Sequence, residues 1–344
     1  MITFAWRTAF DPEEERELRD MLAEAAEADA EAGFPQVSLD QPYGPGASHL
    51  LVWLLADDRP GSQTPGAPSL AAYLRVEPAP DGGPATARYV VRPGFRSRGV
   101  STLLAERLGL DLDADGWAGT GVSALRVWAL GDHPAAQRMA RRFAGAGVRP
   151  SRRRWQLLAP LRAGSAPSPG HPPAPGGPAA HPPAGTAEQA AAAALWRDSG
   201  TGTGIGTGEA PPATGELVVT GAGADITGAA WFDPRAGEPT DYGTAGRILG
   251  VWVRPAAPDA AGVRAALLSA ALAGLRGHRL RVAVITVEAG DQELARACRL
   301  VGFIHDQTDT EYTLSAMDTV PSGNPVAAGN TLAYGNTLPG EERR

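Results

Sequence analysis

The first thirty residues carry the pattern of an amphipathic helix. The segment "DPEEERELRDMLAEAAEADAEAG" starts at Asp11, a residue type that caps helix N-termini, and its first turn is acidic, as the positive end of the helix dipole favours. Its apolar residues recur at helical spacing and form one face: Leu18, Met21, Leu22 and Ala25. We predict a helix from Asp11 that ends at Gly33.

Strand-like and helix-like segments then alternate as far as about residue 160. Three apolar runs of strand length, "HLLVWLLA", "SLAAYLRVE" and "TARYVVRP", are bounded by turn residues. A helix from about Val100 to Leu110, the strand "ALRVWAL" and the helix "PAAQRMARRFAGAG" follow. This order predicts an α/β domain with a mixed sheet, whose functional end lies where the central strand meets its helix.

The middle and the end of the chain have a composition that does not favour a packed core. Between Ala163 and Gly185, eight of 23 residues are proline and the others are Ala, Gly, Ser and His. The Ala-rich "EQAAAAALWRD" fits one isolated helix, and "GTGTGIGTG" lacks the strand, the Gly-Lys-Ser/Thr ending and the helix of a phosphate loop. We predict a first domain at 1–162, a low-complexity linker at 163–215, a second domain at 216–317 and a disordered tail at 318–344.

Composition and charge narrow the function classes. With 344 residues, 43% of them hydrophobic, the chain can fill two cores. A net charge of -7 argues against a nucleic-acid partner, so an anion site must be local. The sequence has neither a signal-peptide pattern nor an apolar run of membrane length, which predicts a cytoplasmic protein with no membrane partner. Cys298 has no partner for a disulfide, and the six histidines show no ligand spacing, so we expect no metal.

The stretch "RYVVRPGFRSRGVSTLLAERL" joins an apolar strand to a helix through an arginine-rich turn. Pro93 stops the strand, Gly99 lets the chain bend without a Cβ clash, and two small residues start the helix. Unpaired N–H groups at a helix N-terminus attract anions, and Arg96 and Arg98 add positive charge. We interpret the turn as a site for a pyrophosphate; a basic, solvated helix cap is the alternative.

The same turn resembles the acetyl-CoA signature of the GNAT acetyltransferases. That signature is Arg/Gln-x-x-Gly-x-Gly/Ala after a Val-x-Pro strand end, and "VRPGFRSRGVSTLL" matches it at Arg96 and Gly99, with Ser101 as a mild departure. The resemblance implies that the loop amides bind the coenzyme A pyrophosphate and that the preceding strand binds the pantetheine arm. The implied acetyl-CoA contacts are Tyr89, Val90, Val91, Arg96, Ser97, Arg98, Gly99, Val100, Ser101 and Thr102.

Both ends of the chain are similar to the mycothiol synthases, a tandem-domain branch of that family. "WRTAFDPEEERELRDML" and "RRRWQLLAPL" resemble their N-terminal half, and "DTEYTL" resembles their C-terminal end. After the linker, "GRILGVWVRPAAPDAAGVRAALLSAALAGL" repeats the order strand, Pro, loop, Gly-Val, helix. The implied contacts of this copy are Val251, Trp252, Val253, Gly262 and Val263. The expected fold is α/β, with two tandem GNAT-like domains of mixed, mostly antiparallel sheet flanked by helices, the second truncated, joined by a disordered linker.

The second copy departs from the family pattern in its loop. Asp259 stands where Arg or Gln is expected, and Arg264 stands where a small residue would let phosphate approach. The resemblance makes this copy the active one, yet Arg247 falls at the position of its general-base glutamate. Because an acid repels phosphates, we expect one acetyl-CoA per chain, in the first domain.

No complete acid–base pair is identified from the sequence. The tyrosine that many GNAT enzymes use to protonate the leaving thiolate falls at Cys298 in the second copy and at Ala140 in the first. Glu288, at a strand end near the implied acetyl position, is a candidate base, and an idle exposed glutamate is the alternative. Cys298 is disfavoured as a nucleophile, since GNAT transfer is direct attack by an amine on the thioester.

Three functional hypotheses follow. The first is acetyl transfer from acetyl-CoA to the cysteine amine of cysteinyl-glucosaminyl-inositol, the final step of mycothiol biosynthesis. The second is acetylation of another small amine by the first domain. The third is an acetyl-CoA-binding protein without catalysis. In each case the expected partner is a small molecule and the expected state is a monomer.

Overall fold

The computed structural model describes residues 2–31, 37, 39, 46–55, 68–113, 115–161, 179–198, 215–240 and 242–315. Residues 2–161 are called the first half below, and residues 179–315 the second half. The tail predicted at 318–344 lies outside the described residues, as does most of the predicted linker.

The first half contains eight strands and three helices among its described residues: β1 (Ile2–Arg7), α1 (Pro12–Glu31), β2 (Ser48–Leu55), β3 (Pro68–Glu77), β4 (Ala85–Val91), α2 (Val100–Leu108), β5 (Leu112–Asp113), β6 (Gly116–Trp117), β7 (Ala124–Ala129), α3 (Pro134–Arg142) and β8 (Val148–Pro160). The second half contains β9 (Ala180–His181), α4 (Thr186–Asp198), β10 (Glu216–Thr220), β11 (Gly228–Thr240), β12 (Gly243–Val253), α5 (Ala260–Gly277), β13 (Val282–Glu288), α6 (Gln292–Leu300) and β14 (Ile304–Ser315).

Helix α1 confirms the predicted cap and apolar face. Asp11 Oδ1 accepts hydrogen bonds from the N–H groups of Glu13 and Glu14, at 2.9 and 2.8 Å. The four residues of the predicted face are all buried, and they pack on β2, β3 and β4. Side chains of this kind contribute about 1.5–3 kcal/mol each when buried. The predicted end at Gly33 lies outside the described residues.

Twelve of the described strands form one continuous sheet, in the order β1-β2-β3-β4-β7-β14-β8-β13-β12-β11-β10-β9. Two neighbouring pairs, β4 with β7 and β12 with β13, run parallel, and the other pairs run antiparallel. The two strands of each parallel pair are joined through a helix, α2 or α5, that contributes buried residues to the core on the sheet. The sheet confirms the expected mixed, mostly antiparallel α/β fold.

The last strand of each half is exchanged at the centre of the sheet. Strand β14 of the second half lies between β7 and β8, and β8 of the first half pairs with β13. Each half therefore completes the other. The exchange brings together distant residues such as Gly131 and Asp309, which are 178 positions apart, and periodicity along the chain cannot reveal such contacts.

Both parallel pairs separate part-way along their length. Strand β4 pairs with β7 over Ala85–Ala87 and Leu125–Val127. Strand β12 pairs with β13 over Ala245–Ile248 and Val282–Ile285. Beyond these residues the described part of the chain shows no pairing between the two strands of either pair. We call the two openings the first wedge and the second wedge.

Helix α4 lies in the segment predicted as linker, but it is not isolated. The Trp196 ring packs on those of Trp231 and Trp252, with centroids 5.2 and 4.3 Å away, and the buried Glu188 accepts two backbone N–H groups. Residues 180–198 therefore belong to the folded second half. The apolar face of α4 was hidden by the composition of the whole segment, and the remaining domain boundaries stay predictions.

Candidate functional site

The turn between β4 and α2 forms the first candidate site, which we call the first cradle (residues 92–102). It consists of one 3-10 turn, Pro93–Phe95, and a loop that enters α2 through two left-handed residues. Ser97 has φ 62° and Gly99, the N-cap of α2, has φ 76°. The left-handed region is costly for residues with a Cβ, so glycine suits position 99. Helix α2 then begins at Val100, as predicted.

The N-terminus of α2 is open. No side chain caps it, and none of the described residues accepts the N–H groups of Val100, Ser101 or Thr102. A Cβ built on Gly99 would meet no atom within 4 Å. Helix N-termini with free N–H groups and open space bind anions through those groups and the helix dipole. The first cradle therefore fits a pyrophosphate.

The arginines of the first cradle are positioned differently from one another. Arg96 is tied down: its Nε donates to the carbonyl of Val91 at 3.0 Å, and its Nη1 lies 2.8 Å from Asp29 Oδ1 on α1. The exposed Arg98 lies 5.8 Å from the ring centroid of Phe95. The sequence predicted positive charge here from Arg96 and Arg98. The structure adds that the charge of Arg96 is partly balanced by the carboxylate of Asp29.

Tyr89 sits on β4 at the mouth of the first wedge. Burial raises the pKa of its hydroxyl to about 12, and the nearby Ser101 hydroxyl lowers the pKa by a smaller amount. The Tyr89 hydroxyl makes no hydrogen bond of ordinary geometry with the described residues. It is therefore a neutral, buried donor beside the start of α2.

The corresponding turn of the second half, which we call the second cradle (residues 254–264), is closed. Asp259, with φ 52°, caps α5 and its Oδ1 accepts the N–H of Gly262 at 3.1 Å. A Cβ built on Gly262 would lie 2.1 Å from Asp259 Oδ2, so the carboxylate fills the space over the helix end. Arg264 forms an ion pair with Glu293, with Nη1 2.7 Å from Oε2. The second cradle does not fit a phosphate group as it stands.

The other contacts implied for the second copy pack largely into the core. Val251 and Val263 belong to the main core of the second half, and Val253 packs against it. The Trp252 ring lies in the aromatic cluster with Trp196 and Trp231, 5.3 Å from the latter. Their side chains stabilise the fold, and a role of this strand in ligand binding would rest on its backbone.

The candidate acid–base residues have different surroundings. Glu288, at the end of β13, has Oε1 2.5 Å from Arg152 Nη2 of the first half. Cys298 is fully buried on α6, and burial raises the pKa of its thiol to about 12. Ala140 is half-buried on α3 and Arg247 half-buried on β12. Among the described residues, the side chain that contacts the Glu288 carboxylate is that of Arg152.

The described residues contain no group of three or more His, Cys, Asp or Glu side chains arranged to hold a metal ion. Among the helices that the structure describes, none is both long and apolar enough to cross a membrane.

Comparison with known proteins decides the family. No family model matches the chain. The mycothiol acetyltransferase of Sanguibacter keddieii is 30% identical over 279 residues, which cover 77% of this chain and 81% of that protein. The chain belongs to the mycothiol acetyltransferase family. Other members match in part: that of Nocardia farcinica is 34% identical over 157 residues, which are 45% of this chain and 44% of that protein. The chain thus spans less than half the length of some curated relatives it matches.

Solved structures agree on the fold. A tandem GNAT protein from the clavulanic acid biosynthesis pathway superposes with a TM-score of 0.55 at 19% identity, over 91% of this chain and 98% of that one. A GCN5-related N-acetyltransferase from Sphaerobacter thermophilus gives 0.52 at 17% identity, over 90% and 95%. These likenesses confirm the expected tandem GNAT architecture of this mycothiol acetyltransferase family member.

Two features of this family member were not predicted from the sequence. Helix α1 supplies carboxylates to the first cradle: Asp29 pairs with Arg96, and Glu24 pairs with Arg92 at 2.6 Å. Asp259 was interpreted only as a repulsive charge, whereas it is also the cap of α5. Aspartate just before a helix is a common N-cap, so the second feature had a sequence signal; the long-range pairs of α1 had none.

Proposed function

We propose that the chain transfers an acetyl group from acetyl-CoA to the cysteine amine of cysteinyl-glucosaminyl-inositol, using the first cradle to hold the coenzyme. The observation that carries this proposal is the open N-terminus of α2 after Gly99, where three N–H groups have no acceptor among the described residues. Membership of the mycothiol acetyltransferase family supports the reaction and the acceptor.

Two parts of the first half would bind two parts of the coenzyme. The N–H groups of the first cradle and the exposed Arg98 would hold the pyrophosphate. Beyond Ala87, β4 does not pair with β7 in the described residues, so its backbone groups at Tyr89–Val91 would hydrogen-bond the pantetheine arm as an added strand would. The thioester would then lie in the first wedge, where the chain's role is to orient it toward the acceptor amine and to exclude water.

A second candidate function is acetylation of a different small amine, also through the first half. The closed second cradle favours it, because the family resemblance assigns catalysis to the half that Asp259 blocks. If the active half has changed, the acceptor can have changed with it. Binding of acetyl-CoA without transfer is the limiting case.

Turnover of the purified full chain tests these proposals. We expect coenzyme A to be released when acetyl-CoA and cysteinyl-glucosaminyl-inositol are both present, at a rate well above the rate with acetyl-CoA alone. Release of coenzyme A with other small amines, but not with cysteinyl-glucosaminyl-inositol, would favour the second candidate function. Tight acetyl-CoA binding with no release for any amine would contradict both enzymatic functions.

A further inference from the structure

The turn that follows β7 is built from an unusual backbone conformation. Leu130–Asp132 connects β7 to α3, and two successive residues are left-handed: Gly131 with φ 66° and Asp132 with φ 46°. A left-handed aspartate is disfavoured unless its surroundings hold it in place. The groups that hold this turn should therefore control its shape.

Those groups come from the other half of the molecule. Asp309 on β14 accepts the N–H of Gly131 on Oδ1 at 3.0 Å and the guanidinium Nε of Arg154 on Oδ2 at 2.9 Å. The hydroxyl of Thr310 donates to Asp132 Oδ1 at 3.1 Å. Asp309 is 5% exposed and Thr310 is 0% exposed. A buried carboxylate with this many partners fixes the position of each of them.

The position of the turn relates it to the first wedge. Val127 is the last residue of β7 that pairs with β4, and on its other side it pairs with Tyr312 of β14. Two residues further along, Ala129 pairs with Thr310, and the turn begins at the next residue. The turn therefore closes the end of the strand that forms one wall of the first wedge.

We propose that Asp309 and Thr310 are positioning residues, by which the last strand of the second half sets the turn Leu130–Asp132 against an acetyl-CoA held in the first half. This rests on the proposed binding of acetyl-CoA by the first cradle. The exchanged strand makes the site of the first half depend on the second half, even though the second cradle is closed. The two halves would form one functional unit.

Hydrogen exchange of the full chain, with and without saturating acetyl-CoA, tests this. We expect acetyl-CoA to slow amide exchange at Leu130–His133 about tenfold in the wild type. In Asp309→Asn, which keeps the shape of the side chain and removes its charge, we expect this slowing to be lost while the dissociation constant of acetyl-CoA stays within about twofold, because the first cradle itself is unchanged. Thr310→Val, which removes one hydrogen bond, should reduce the slowing and serves if Asp309→Asn does not fold.

Asp306→Asn is the matched control. Asp306 is exposed on the same strand. Among the described residues, its carboxylate accepts one hydrogen bond, from Gln156 Nε2 to Oδ2 at 3.0 Å. This variant should behave as the wild type. The proposal would be overturned if acetyl-CoA still slowed amide exchange at Leu130–His133 in both test variants. It would also be overturned if the wild type bound acetyl-CoA without any slowing there. No binding by the wild type would instead contradict the proposed function.

Discussion

Helices α2 and α5 occupy equivalent places in the two halves, but their N-termini are capped in opposite ways. Both cap residues are left-handed, with φ 76° at Gly99 and 52° at Asp259. The two caps stand at different points of the shared motif, because Asp259 aligns with Arg96 and Gly262 aligns with Gly99. Helix α5 therefore begins at Ala260 rather than at Val263, the counterpart of Val100. Gly99 leaves the end of α2 open, whereas Asp259 supplies its own anion to Gly262. An internal carboxylate thus takes the place that a phosphate would occupy.

The strands beside these helices are arranged alike in the two halves, although the two cradles differ. The second wedge opens after Ile248 and Ile285 in the same way that the first opens after Ala87 and Val127. Its neighbouring residues supply core packing, as the buried Trp252 illustrates. The comparison teaches that one capping carboxylate can close a helix end while the sheet around it keeps its arrangement.

Closing the first cradle should have the largest effect. Gly99→Glu puts a carboxylate at the helix end and a Cβ at a left-handed position, so it should weaken acetyl-CoA binding by about 100-fold or more in calorimetry of the full chain. Gly119→Glu is the control, because Gly119 also has φ 74° and open space but lies outside the first cradle. Equal affinity in Gly99→Glu and the wild type would show that the first cradle is misassigned.

Opening the second cradle should strengthen acetyl-CoA binding, which is the opposite of the effect of Gly99→Glu. Asp259→Gly frees the N–H of Gly262 and removes a negative charge, so acetyl-CoA affinity at this site should rise by about tenfold and a second binding event should become measurable. Asp291→Gly removes a similar cap, which accepts the N–H of Leu294 at 2.9 Å, from the unrelated helix α6. It should leave the number of sites unchanged. If Asp259→Gly still binds a single acetyl-CoA, Asp259 does not account for the difference between the halves.

Releasing Arg96 should have the smallest effect. Asp29→Asn removes the carboxylate that pairs with Arg96 at 2.8 Å, so acetyl-CoA should bind about two- to fivefold more tightly, within the usual strength of a partly exposed ion pair. Glu15→Gln is the matched control and should leave the affinity unchanged, since Glu15 pairs with Arg19 on the same helix, outside the first cradle. Weaker binding in Asp29→Asn would mean that Asp29 orients Arg96 for the phosphate rather than competing with it.

Local patterns predicted much of the first half because its elements are set by nearby residues. The cap at Asp11 and the start of α2 at Val100 follow from residue types that act within one turn. Helix α2 ends at Leu108 rather than Leu110, since Gly109 adopts φ 75° and stops it. The role of Asp309 had no such signal, because strand exchange brings it to Gly131 from 178 positions away.

Calorimetric titration of the unmodified full chain with acetyl-CoA tests the central claim most directly. An open first cradle and a closed second one predict one acetyl-CoA per chain, and predict that this binding disappears in Gly99→Glu. Two acetyl-CoA per chain, or one that survives in Gly99→Glu, would contradict the account and return the binding site to the second half.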